Sequence, residues 1–194
     1  MRKGQYFLAI AASCANIAAY LTYNWEIIVG QTRPNAASWA VWSFLTVLNL
    51  VSYQTVSRDL LKSVLPIVSS ILCITTLCFA LFAGRFAAIG IYDWCAVGFG
   101  ALACLLWWFA KSRTTGAVRA QILLQVAINI GCIPTYLSVW SSPQNELPIA
   151  WVLWSVGFAL QGALVWMSNG KRIEYLYPTN CALVHFPVAL LALR

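Results

Sequence analysis

From Gln5 onward apolar residues run almost without pause, and polar ones stand as isolated marks among them. A stretch of about 20 predominantly apolar residues can cross a bilayer core of roughly 30 Å as one helix. Seven such stretches are readable, over about 5–29, 36–56, 62–84, 92–111, 117–140, 147–168 and 173–193. They use nearly the whole chain. The pattern therefore predicts an all-α integral membrane bundle of seven transmembrane helices, with no room for a separate soluble domain.

Composition agrees with the pattern. Of 194 residues, 61% are hydrophobic and 9% are charged, against roughly 45–50% and about 25% in soluble domains. The first residues, MRKGQYFLAIAASC, have the basic-then-apolar order of a signal peptide. A sequence repeat begins inside this segment, so we read it as the first helix. The seven cysteines (Cys14, Cys73, Cys78, Cys95, Cys104, Cys132 and Cys181) show no CxxC spacing and read as small apolar fillers.

Charge adds an orientation. After seven crossings, the N-terminus and connections 2–3, 4–5 and 6–7 share one side. That side holds Arg2, Lys3, Arg58, Lys62, Lys111, Arg113, Arg119, Lys171 and Arg172, and the other holds Arg33, Arg85 and Arg194. The positive-inside rule then predicts a cytoplasmic N-terminus and an outside C-terminus. The net charge of +7 is mostly topology. No basic domain stands outside the apolar spans to meet a nucleic acid.

The isolated polar marks repeat. NIAAYLTY starts at Asn16 and NIGCIPTY at Asn129, 113 residues on. Past the next loop the offset becomes 112. Trp39, Trp42 and Ser43 then fall on Trp151, Trp154 and Ser155, Asn49 on Gln161, and Pro66 on Pro178. Helices 1–3 thus correspond to helices 5–7, and helix 4 has no counterpart. Three crossings end on the opposite face, so one extra crossing lets a second copy enter in the same orientation. The expected layout is a 3+1+3 arrangement of parallel three-helix repeats: residues 1–84, a linker helix in 85–115, and residues 116–194.

This layout resembles the SWEET and PQ-loop (MtN3-like) superfamily of small-solute transporters. The second copy carries most of the likeness: IPTYLSVW closes helix 5, SPQNE forms the loop, and AWVLW opens helix 6. The chain is also similar to a group of uncharacterised bacterial seven-helix membrane proteins. Their Pro-Thr…Trp…Pro…Glu and Tyr-Pro pattern falls here on Pro134, Thr135, Trp140, Pro143, Glu146, Tyr177 and Pro178. The likeness implies alternating-access transport and a bacterial inner membrane. The first copy departs from it with Leu21 opposite Pro134, the predicted orientation is opposite to that of SWEETs, and His185 stands where the analogy leads to Asn.

Candidate site residues follow from depth. Asn16 and Asn129 lie near the centres of their helices, where a polar group must face protein or a water-filled cavity. Together they offer donors and acceptors to a neutral polar solute, or each bonds two helices together. Asn49, Gln161, Asn180 and His185 are the next candidates. His185, the only histidine, has no acid at its depth, and we read it as neutral and hydrogen-bonded. Pro134 is a hinge or a fixed bend. Tyr23 and Tyr136 accompany the repeat as gate candidates. The pairs Trp39/Trp42 and Trp151/Trp154 share helix faces and form an interfacial belt or an aromatic gate. Asp93 reads as a helix-start carboxylate, and Glu26 and Glu146 as hydrated loop-side acids.

The sequence has no HExxH, GxSxG or phosphate loop, and helix 7 has no lysine for a retinal Schiff base. We expect no enzyme, no cofactor and no metal site. The expected partners are the lipid bilayer and a small, uncharged polar solute, with homo-oligomerisation left open. The alternative function is a non-transporting membrane module, an assembly partner or a ligand or lipid sensor.

Overall fold

The computed structural model describes residues 2–32, 34–82, 89–110 and 112–194. Arg33, Arg85 and Lys111 from the charge count lie outside the described residues, as does the boundary expected at 84/85. Seven α-helices are described: α1 (Arg2–Val29), α2 (Ala36–Ser57), α3 (Leu60–Phe82), α4 (Ile91–Trp108), α5 (Arg113–Ser141), α6 (Pro148–Met167) and α7 (Arg172–Ala192). A short 3₁₀ turn, Pro143–Asn145, precedes α6. No strand occurs among the described residues.

Local chemistry sets the ends. Asn35 accepts from the Ala37 and Ser38 amides at 3.1 and 3.4 Å and starts α2. Asp59 does the same for α3 through Leu61 and Lys62, and Ser112 for α5 through Thr115. These bonds occupy amides that have no partner within the helix. Gly30, at φ 80°, ends α1 in the left-handed conformation that a side chain disfavours. Pro66, Pro134, Pro178 and Pro187 all lie within helices that continue past them.

Helices α1 to α6 are long and apolar enough to cross a membrane. The seventh expected span is a helix but does not reach that apolarity. Arg172, Glu174, Thr179, Asn180 and His185 interrupt it; Glu174 and Asn180 bond to neighbouring helices and His185 bonds within α7 itself.

Six helices pack in a ring, in the order α1, α3, α2, α5, α7, α6 and back to α1. Helix α4 lies outside it against α5 and α2. The α1–α6 seam is close: a Cβ on Gly157 would stand 3.1 Å from the Ala12 carbonyl oxygen. Small residues let helix backbones approach in this way. Polarity is inverted relative to a soluble bundle. Asn16, Asn49, Ser69 and Gln161 are buried, whereas Phe7, Trp25, Trp94, Trp108 and Trp166 are exposed on the outer surface.

Candidate functional site

Between the ring's two halves lies a cavity of about 50 Å³. A water needs roughly 10–15 Å³ of such space, so it holds a few waters and excludes a sugar-sized solute. Four indoles form much of its wall. Trp39 and Trp42 on α2 have ring centroids 5.1 Å apart, and Trp151 and Trp154 on α6 are 5.2 Å apart. Across the cavity Trp39 faces Trp154 at 6.0 Å and Trp42 faces Trp151 at 6.2 Å. The interfacial belt expected for these residues is not what forms. Trp39, Trp151 and Trp154 are buried, because the faces that carry them turn into the ring.

The four indole N–H groups have different fates. Trp39 donates to the Tyr23 hydroxyl at 3.4 Å and Trp151 to the Glu146 carboxylate at 3.0 Å. The Trp42 and Trp154 N–H groups have no partner among the described residues, although Trp154 is only 2% exposed. A buried donor without an acceptor costs about 1–3 kcal/mol. Ser69, Cys73, Cys181 and His185 from α3 and α7 complete the wall. The His185 Nδ1 donates to the Cys181 carbonyl oxygen, which leaves Nε2 as an acceptor in the neutral ring. The ring stacks on Phe158 at 5.4 Å.

Toward each end of the bundle, beyond the cavity, polar contacts tie the helices together. At the end near the starts of α3 and α7, Lys62 forms a buried ion pair with Glu174. Gln161 donates to the Lys62 carbonyl oxygen at 2.6 Å, and Lys171 to that of Val56 at 3.0 Å. At the opposite end, the 3₁₀ turn folds the α5–α6 connection back over the bundle and brings Glu146 down onto α1. Its carboxylate accepts from the Tyr23 hydroxyl and the Trp151 indole, each at 3.0 Å. Burial pushes the Glu146 carboxyl up to about 8. The hydrated state expected for Glu26 and Glu146 is therefore corrected: both are buried, and Glu26 accepts from the Thr32 hydroxyl. Asp93 is a helix-start carboxylate as expected, bonded to the Gly90 amide, but it is buried and also accepts from Ser38.

The other candidates are scattered. Asn16 accepts from Ser69 at 3.0 Å and sits behind the cavity wall. Asn129 is exposed and donates to Asn180 at 3.0 Å. The expectation that the two amides enter one cavity is not met, because α1 and α5 turn these positions in different directions. Asn180, Gln125 and Asn49 continue a hydrogen-bonded chain from α7 through α5 to α2. Gln121 adds bonds to the Asn49 carbonyl oxygen and Ser52. Tyr136 donates to the Val184 carbonyl oxygen at 2.7 Å. Of the six solute-site candidates only His185 lines the cavity, and of the gate candidates the four Trp do.

Sequence reasoning missed Lys62, Glu174, Gln121, Gln125 and the inward turn of Glu146. Gln121 and Gln125 are four apart in an apolar run, a spacing that shares one helix face. Lys62 and Glu174 are 112 apart, which is the repeat offset.

The structure thus defines an all-helical bundle of apolar helices around an aromatic-walled cavity. No protein-family model, curated protein or solved structure matches this chain.

Proposed function

We propose that the protein is an integral membrane transporter that moves a small, uncharged polar solute by alternating access, on a SWEET- and PQ-loop-like 3+1+3 plan. The observation that carries this reading is the cavity's wall. Trp39 and Trp151, Trp42 and Trp154, Ser69 and Cys181, and Cys73 and His185 all line it, and each pair is 112 residues apart. The cross-cavity contacts exchange partners in the same sense, Trp39 with Trp154 and Trp42 with Trp151, as two-fold related surfaces do. The helix ring also maps onto itself when α1, α2 and α3 are exchanged for α5, α6 and α7.

The exposed aromatic and aliphatic side chains on the outer surface support lipid as the solvent, since lipid has no use for polar groups there. The two unpartnered indole N–H groups are donors for a solute oxygen, and the His185 Nε2 is an acceptor for a hydroxyl. Polar ties toward both ends of the bundle support a reading in which the solute volume appears when one end opens. The small cavity favours a second reading, a membrane ligand sensor without transport. A thermal-shift screen of purified protein against neutral polar metabolites tests for the site, since a ligand that binds only the folded state stabilises it by mass action. The shift disappears in Trp154→Phe. Counterflow of that ligand in proteoliposomes separates transport from sensing, and binding without exchange supports the sensor.

A further inference from the structure

The two ends of the bundle are tied by different chemistry, and one of them uses a carboxylate with no ion-pair partner among the described residues. Glu146 sits on a connection rather than in a helix, is 5% exposed, and among the described residues is held only by neutral donors from two separate helices. One of those donors, Trp151, is a wall of the cavity. We propose that Glu146 is a proton-binding site whose loss of a proton to water opens the lid formed by the α5–α6 connection over the cavity.

The groups facing Glu146 are few. From α1 come the Tyr23 hydroxyl and the acid Glu26, which disfavours a second negative charge nearby. From α6 comes the Trp151 indole, which is not titratable. From α7, His185 lies on the far side of Trp151, with rings 5.5 Å apart. Arg194 is occupied at Trp140, donating to its carbonyl oxygen and lying over its ring. Arg33 lies outside the described residues.

The direction of coupling follows from solvation. An ionised carboxylate gains most from water, and two neutral hydrogen bonds replace only part of that. The buried position therefore favours the protonated form. With the lid open, Glu146 is hydrated and its proton leaves to bulk water, breaking the O–H bond and leaving the carboxylate. A group bound more tightly in one conformation shifts the population toward it. Low pH thus favours the closed lid, and rising pH favours the open one.

This rests on the transporter reading for its purpose, but its test needs no solute. Infrared difference spectroscopy of the full-length protein in detergent reads the C=O band of a protonated buried carboxyl. Acrylamide quenching of tryptophan fluorescence, read in parallel, reports access to the cavity. The expected result is a protonated band that titrates away near pH 8, with quenching rising over the same interval. Glu146→Gln loses that band and holds quenching at its low-pH level across the range. Tyr23→Phe, which removes a bond made only with the lid closed, moves both midpoints downward together. The proposal is overturned if wild-type protein has no protonated carboxyl band at pH 6 that Glu146→Gln removes. It is equally overturned if quenching rises with pH to the same extent in Glu146→Gln. Failure of counterflow with these titrations intact would sink the transport reading alone.

Discussion

The two ends of the bundle solve one problem in opposite ways. At the α3–α7 end, Lys62 meets Glu174 and the charges cancel inside the protein. At the α5–α6 end, Glu146 meets Tyr23 and Trp151, and among the described residues no opposite charge pairs with it. The first is an ion pair that depends on both of its members. The second depends on whether a proton is present. Lys62 lies in the first turn of α3, where the helix dipole disfavours a cation. Its position is therefore explained by Glu174 and Asp59, at 3.8 Å on its other side, and not by the helix.

The largest effect is expected at the ion pair. Lys62→Met leaves Glu174 buried and unpaired, which costs about 3–5 kcal/mol. Chemical denaturation in detergent should register most of that loss, and the double variant Lys62→Met with Glu174→Leu should recover most of it. If the single and double variants lose the same stability, the pair is not a mutual closure. At the other end the effect is a pH profile. The folded-state value for Glu146, about 8, lies above its ordinary 4.5. Its contribution is therefore full below about 4.5 and is lost as pH rises through about 8. Melting temperature should fall across that window in the wild type and flatten in Glu146→Gln.

A smaller effect is expected at Tyr23. Tyr23→Phe removes a hydrogen bond to Glu146 that is made only with the lid closed and the carboxyl neutral, worth about 0.5–1.5 kcal/mol. Stability measured at pH 5 should drop more than stability measured above pH 8, where the lid is open and this bond is already broken. The smallest effect belongs to Asn129→Leu, which touches neither end. Loss of an interhelical bond of this kind costs about 0.6 kcal/mol, and the melting profile should keep the wild-type pH dependence.

The helices were legible because the apolar runs are long and uniform. Expected and observed limits differ by a few residues, mainly where polar first turns such as Arg113–Gly116 extend a helix beyond its greasy part. The aromatic wall was half legible. The Trp39/Trp42 and Trp151/Trp154 spacings put each pair on one face, but a face does not say whether it looks at lipid or at protein. Depth misled for Asn16 and Asn129. Both are central in their helices, yet rotation about the helix axis decides what a side chain meets, and one amide lies behind a wall while the other bonds Asn180. Glu146 was read from its place in a loop. The 3₁₀ turn that carries it inward follows from Pro143 and its neighbours, and its contact with Tyr23 spans 123 positions, beyond any local pattern.

Alternating access requires the two ends to open one at a time, and pulsed electron-spin distances read this directly. One pair of labels belongs at exposed Arg58 and Lys171, at the ion-pair end, and another at exposed Gln31 and Gln144, at the Glu146 end. In liposomes, raising pH from 5 to about 9, across the Glu146 value of about 8, should lengthen the Gln31–Gln144 distance while Arg58–Lys171 stays short. Lys62→Met should lengthen Arg58–Lys171 while Gln31–Gln144 stays short. Single, unchanging distances at both ends under all of these conditions would contradict a bundle that opens and would leave a rigid, ligand-free membrane module in its place.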